Sequence, residues 1–172
     1  MALERLLSPE EMDKLFRENA QGQYERSLLF SSLAKLMASV VLCRAKSVNA
    51  AYKKMAEELG VSLNATYMKL DRVELGLSQA IVRRSYAQLK SVSNHLRAYD
   101  PSPVARFQPK ILDGNHLAGT EHRLLETRGT TAAPLPGKTL VVLDPRREAI
   151  ADLFPIEDGH AQERSGLDAV IE

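Results

Sequence analysis

Apolar positions in the N-terminal part of the chain recur at three- and four-residue spacing, the period of helices that bury one face. Ser8-Pro9-Glu10-Glu11 reads as a capping box with proline at the first helical position. It predicts a short helix from about Pro9 to Asn19, ended by Gln21-Gly22-Gln23. Leu28, Leu29, Leu33, Leu36, Met37, Val40 and Val41 then mark a long core helix from about Tyr24 to Cys43. A third long helix is predicted from about Gln79 to Ala98, carrying Arg83, Arg84, Lys90 and Arg97.

Between the second and third of these lies a paired pattern. Ala51 to Ser62, followed by Leu63 to Leu70, has the layout of a helix-turn-helix. Ala56 is small enough for two helices to approach closely, and Gly60 ends the first helix in a left-handed conformation without steric cost. Ser62 caps the second helix. Leu59, Val61, Tyr67 and Leu70 are expected to pack the pair, with the second-helix anchors one residue later than the commonest pattern.

Tyr99-Asp100-Pro101-Ser102-Pro103 interrupts helix twice, because proline lacks an amide hydrogen and restricts the residue before it. The boundary is placed there, giving a helical domain over 1–100 and a strand-bearing one over 101–172. Strands are predicted at Phe107–Leu112, Lys138–Leu143 and Glu148–Phe154, the last two joined by a turn at Asp144-Pro145-Arg146-Arg147. A long loop with Gly119, Gly129, Pro134, Pro136 and Gly137 precedes the hairpin and has room for a short helix at Glu121–Thr127. A last helix is expected from near Gly159 through Ala161, Leu167, Val170 and Ile171. The fold class is α+β, helices first and an antiparallel sheet after.

Composition narrows the class. At 44% hydrophobic and 5% aromatic residues the chain is globular rather than disordered. No apolar run approaches the ~20 residues of a membrane span, and the longest, Leu28 to Leu42, is broken by Ser31, Ser32, Lys35 and Ser39. The N-terminus lacks the layout of a signal peptide, so a cytoplasmic protein without a membrane partner is expected. The single cysteine, Cys43, excludes an internal disulfide and a thiolate zinc site, and its place on an apolar stripe reads as core filling.

Charge is asymmetric beneath a net value of +1. Residues 26–110 hold 14 basic against 5 acidic side chains, a surplus of nine, whereas residues 111–172 hold 6 against 11, a deficit of five. A basic half beside an acidic half suits a polyanion-holding module next to a cation-binding one; it equally suits two solvated surfaces that attract each other.

Candidate chemistry is sparse. Asp113 ends the first strand, and the dipeptide Asp113-Gly114 is by itself a hairpin-turn signal. The alternative is a metal ligand: an aspartate on the first strand of an antiparallel meander opens the active site of phosphoryl-transfer enzymes with a ribonuclease-H-like core. Such enzymes use two magnesium ions about 4 Å apart, held by several carboxylates, which one aspartate cannot build. His116, His122 and His160 lack metal-ligand spacing and read as polar loop residues. Asp144 and the Glu157-Asp158-Gly159-His160 stretch read as a turn and a helix start. For DNA contact, Ser62, Asn64, Thr66, Lys69 and Arg72 on the second helix of the pair, with Arg83 and Arg84 beyond it, supply phosphate-neutralising cations and an amide able to read a base edge.

Several blocks resemble the N-terminal part of insertion-sequence-4 family transposases. They are Ile111-Leu112-Asp113-Gly114-Asn115-His116-Leu117, Thr120-Glu121-His122-Arg123-Leu124, Leu135-Pro136-Gly137-Lys138, Leu140-Val141-Val142-Leu143-Asp144-Pro145, and Glu157-Asp158-Gly159-His160-Ala161-Gln162-Glu163-Arg164-Ser165. The region around Leu59-Gly60-Val61-Ser62 is similar to that family's N-terminal domain, so the likeness spans nearly the whole chain.

The resemblance implies a DDE-type enzyme of DNA transposition and recombination. Water frees a 3′-hydroxyl, which then attacks target DNA, with Mg2+ as cofactor. Asp113 matches the first catalytic and metal-binding carboxylate. The second and third would follow on a later strand and helix, and the chain ends at Glu172 before either. The expectation is therefore a helical DNA-binding domain followed by a truncated ribonuclease-H-like start, able to bind double-stranded DNA at terminal inverted repeats but inactive alone. A homodimer or association with full-length transposase is the implied assembly. A non-catalytic helix-turn-helix regulator of transposition is the alternative, and a helical interaction domain with no nucleic-acid partner is a third possibility, separated from the others by the salt dependence of duplex binding.

Overall fold

The computed structural model describes residues 8–23, 27–98, 104, 107–122, 131, 135–156, 158–166, 168 and 170. Among them, five helices precede a three-stranded antiparallel sheet, an α+β arrangement. Two compact units, Met1–Ala80 and Ile81–Glu172, divide the chain inside its longest helix. The boundary expected between residues 100 and 101 falls outside the described residues. No described helix is long and apolar enough to cross a membrane.

In the first unit, α1 (Pro9–Asn19) starts as its sequence requires: the Ser8 side chain accepts from the Glu11 amide at 3.3 Å. Its apolar face buries Met12, Leu15 and Phe16, and the Phe16 ring stacks on Phe30 at 5.3 Å. The next helix, α2 (Phe30–Val41), begins later than the expected Tyr24, of which residues 24–26 lie outside the description. Leu29 at its N-cap has no oxygen to offer, and α1 supplies one instead. Asp13 accepts from the Ser31 amide at 2.7 Å and from the Ser31 hydroxyl at 2.9 Å, a long-range cap on α2.

The far end of α2 closes in a Schellman motif. Arg44 N donates to Ser39 O and Cys43 N to Val40 O, both at 2.9 Å, with Cys43 held at φ +56°. Cys43 is exposed there, so its expected role as core filler is corrected: the apolar stripe ends at Leu36, and Val41 and Leu42 are also largely exposed.

Helix α3 (Val48–Leu59) is capped by Ser47 and ended by Gly60 at φ +62°, and α4 (Leu63–Asp71) is capped by Ser62. The Tyr52 hydroxyl donates to Val61 O at 2.7 Å and ties α3 to the turn. Thr66, fully buried, anchors α4, not the expected Tyr67, which is 44% exposed. A β-branched side chain of valine size thus fills the position one residue earlier. α5 (Leu75–Leu96) starts four residues before the expected Gln79, because Leu77 is fully buried and Glu74 accepts from the amides of Gln21 and Gly22 at 2.8 and 2.7 Å.

The second unit places the later part of α5 with the sheet β1-β2-β3, formed by β1 (Ile111–His122), β2 (Leu135–Asp144) and β3 (Ala149–Ile156). Cα partners run Ile111–Leu143, Asp113–Val141 and Asn115–Thr139 on one ladder, and Val141–Leu153 on the other, with a bulge between Val142 and Leu143. Alternation puts Leu112, Gly114, His116, Lys138, Leu140, Val142 and Asp144 on one face. Arg83 and Tyr86 of α5 reach Asp152 and Asp144 on that face. The other face carries Ile111, Asp113, Asn115, Leu117, Val141, Leu143 and Ile150.

Three local expectations are corrected. Asp113-Gly114 does not turn: β1 runs straight through it, starting at Ile111 rather than Phe107. Of the short helix expected at Glu121–Thr127, Glu121 and His122 are strand, and 123–127 lie outside the described residues. The last helix does not begin at Gly159. That residue sits in a turn, with the His160 amide on Asp158 Oδ1 at 2.9 Å, and a 3-10 turn follows at Glu163–Gly166.

Candidate functional site

Asp113 is the third residue of β1, paired through the backbone with Val141, and its side chain is exposed. It shares its face with Asn115 two residues on and with half-buried Val141 and Leu143. Among the described residues its carboxylate has no hydrogen-bond or ion-pair partner, and no cluster of three or more His, Cys, Asp or Glu side chains surrounds it. Asp113 can offer a hard oxygen ligand, but these residues alone do not assemble a two-magnesium site.

On the opposite face, residues 158–164 lie along the strands. His116, expected in a loop, is on β1 and donates from Nε2 to Gly159 O at 2.6 Å, which fixes its tautomer. Lys138, 6% exposed, reaches Glu163 Oε1 and Ala161 O, both at 3.3 Å. These residues with His160 and Arg164 border a shallow depression of about 460 Å3.

The strongest electrostatic cluster is centred on Asp144, which the sequence reading assigned only to a turn. Its carboxylate is 1% exposed and takes Lys110 Nζ at 2.7 Å, Arg147 Nη1 at 3.1 Å, the Arg146 amide at 3.1 Å, and the Tyr86 hydroxyl. Burial pushes its pKa up, but hydrogen bonds from Lys110 and Tyr86, the Lys110 charge and the Arg147 hydrogen bond outweigh that and hold it well below the usual carboxylate range. Arg147 also reaches Asn94 Oδ1 at 2.6 Å. Every strong acceptor position of Asp144 is filled from within its own unit, which marks it as a structural clamp on α5 and the β2–β3 hairpin.

The DNA-contact candidates separate by environment. Ser62 accepts from the Ala65 amide at 3.2 Å and is exposed; Asn64 is exposed, with Nδ2 3.8 Å from Met68 Sδ; Arg72 is exposed at the end of α4. Thr66 is withdrawn from any surface: it is fully buried and its hydroxyl donates to Ser62 O at 3.1 Å. Lys69 lies 4.9 Å from the centre of the Phe16 ring, a cation–π contact, and lines with Arg72, Gln23 and Val61 a cleft of about 260 Å3. Arg83 is engaged with Asp152 at 2.8 Å and over Phe154 at 5.7 Å. Arg84 is exposed on α5.

Exposed cations that the sequence reading passed over gather elsewhere in the first unit, at Arg44, Lys46, Lys53 and Lys54. Their signal is present as basic residues on both sides of the Ser47 cap, whereas the bond from Lys54 Nζ to Arg44 O, at 3.0 Å, is a contact between elements that local sequence does not announce. No family model matches the chain, and no curated protein or solved structure matches it either.

Proposed function

We propose that this chain acts in DNA transposition, as the N-terminal part of an insertion-sequence-4 family transposase that binds element-end DNA. In this reading the α3–α4 pair is a helix-turn-helix, and the sheet is the start of a ribonuclease-H-like domain with Asp113 as its first carboxylate. The observation that carries the proposal is the seat of Asp113, in register near the start of β1 and exposed on its face of the sheet. A turn aspartate would have closed a hairpin; this one is presented on a strand, where a metal-dependent nuclease needs it.

The face around it supports the same reading. Ile111 and Ile150 are about half exposed there, at 50% and 49%. An antiparallel sheet that ends in water normally shows polar residues outward, so an apolar outer face suits a surface on which further structure packs. Because Asp113 is the lone carboxylate at that place among the described residues, strand cleavage is not part of the proposal. The same observation favours, as the second reading, a non-catalytic regulator that occupies the ends.

The test is binding of the full chain to duplexes cut from DNA flanking its coding frame, against scrambled duplexes of equal length. At least tenfold tighter binding to the flanking inverted repeats is expected, with affinity falling steeply as salt rises. Equal affinity for both duplexes would remove end recognition. Magnesium-dependent nicking that disappears in Asp113→Ala would instead exclude the regulator.

A further inference from the structure

We infer that the phosphate-gripping surface of the helical unit is the corner between α2 and α3, formed by Arg44, Lys46, Lys53 and Lys54, and not the exposed side of α4. The inference rests on the reading of this chain as a DNA-binding protein and specifies where the polyanion sits.

The corner is closed by hydrogen bonds. The Schellman bonds from Arg44 N and Cys43 N close α2, and Ala45 N also donates to Ser39 O at 2.9 Å. Ala45, only 6% exposed, is pinned inward between Arg44 and Lys46, which both point to solvent. Lys54 Nζ donates to Arg44 O at 3.0 Å, so α3 is tied back to the same loop with Lys54 beside Arg44, and Lys53 precedes it, exposed, on the same helix.

The cations there are also unneutralised. Arg44, Lys46 and Lys53 have no carboxylate within ion-pair distance among the described residues, whereas Lys35 on the same two helices is paired with Glu58 at 2.6 Å. Adjacent unpaired cations raise the local potential and release counterions from a phosphate backbone when it docks.

Helix α4 offers less. Thr66 is buried, Lys69 is stacked on Phe16, and Arg72 follows directly on Asp71. Its open side presents Asn64, Tyr67 and Met68, groups suited to touching base edges rather than phosphates. Positioning and reading are thus divided between two surfaces of one unit.

The experiment is fluorescence anisotropy of the full chain on a labelled 30-base-pair duplex across a salt series. For Arg44→Gln/Lys46→Gln/Lys53→Gln, affinity at ~100 mM salt is expected to fall at least tenfold, and the log–log salt slope to shrink by about 2 to 3, near 0.9 per lost phosphate contact. The pair variant Lys46→Gln/Lys53→Gln is expected to lose about 2 in slope, and Lys69→Gln/Arg72→Gln less than threefold in affinity. Thermal melting of each variant establishes that the fold is kept. If the wild-type chain binds duplex and the triple variant keeps its affinity within twofold and its slope, the corner is not the grip, while DNA binding stands. If the wild-type chain binds no duplex at low salt, both readings fall. Tighter binding to single-stranded RNA than to duplex DNA would overturn the assignment of partner.

Discussion

Glu163 lays its side chain against the α-carbon of Gly114, on the sheet face opposite Asp113, and no side chain at position 114 could share that space. The contact explains why glycine interrupts an extended strand, where it otherwise weakens pairing. An alanine there would swing Glu163 outward and break its ion pair with Lys138, whose side chain is 7% exposed. We expect Gly114→Ala to destabilise by about 1 kcal/mol, the loss of a charged hydrogen bond less the gain from alanine in a strand. In a Glu163→Ala background only the gain from alanine remains, and the same change should stabilise by about 0.5 to 1 kcal/mol. Urea denaturation of the four proteins of this cycle checks it, and an equal cost in both backgrounds would refute the steric explanation.

Asp144 makes stability depend on acid. Its folded-state pKa lies well below the unfolded value of about 3.9, because the bonds from Lys110, Tyr86 and Arg147 outweigh burial. A carboxylate of this kind contributes stability that is complete above the unfolded pKa and is lost as pH falls toward the folded one. The wild-type chain should therefore weaken progressively below about pH 4. Asp144→Asn should cost about 3 kcal/mol at pH 7, leaving two cations near a neutral amide, and should lack that share of the acid limb. Denaturant midpoints at pH 7, 4 and 2.5 decide it: parallel curves for the two proteins would show that Asp144 is not the titrating clamp.

Local signals were legible and long-range ones were not. The Ser8-Pro9 start of α1 and the Gly60 break between α3 and α4 follow from backbone chemistry confined to a few residues, and both stand where the sequence puts them. Asp113-Gly114 misled because turn preference is local, while the pairing of Gly114 with Leu140 and the packing of Glu163 are not. Likewise α2 begins at Phe30 because Asp13, 18 residues before Ser31, caps it through the Ser31 amide. The Asp144 cluster joins Tyr86 across 58 residues, a distance over which no periodicity carries information. Among the DNA candidates, Thr66 is turned inward by the helix geometry and fully buried.

Cys43 occupies the left-handed position of the Schellman motif that glycine usually fills, and it is exposed. Its Cβ strains the backbone without compensating burial. Cys43→Gly should therefore stabilise the chain by about 0.5 to 1 kcal/mol, the relief of strain less the greater unfolded-state freedom of glycine. Cys43→Val should destabilise, since a β-branched residue tolerates this conformation worst. Chemical denaturation under reducing conditions measures both, and a destabilised glycine variant would mean that the thiol contributes contacts the strain does not reveal.

Thr66 separates a structural from a DNA-contacting role. Its hydroxyl and its amide both donate to Ser62 O, at 3.1 and 3.0 Å, so removing the hydroxyl leaves that carbonyl satisfied. Thr66→Val should cost less than about 1 kcal/mol, because the shape is kept and no buried acceptor is orphaned. It should also leave duplex affinity within twofold, since the side chain is wholly buried. Thr66→Ser opens a methyl-sized void and should cost about 1 kcal/mol with affinity again unchanged. Paired measurements of melting and anisotropy on both variants test the assignment. A tenfold affinity loss in Thr66→Val, with stability intact, would place the hydroxyl at the DNA and require α4 to rotate on binding.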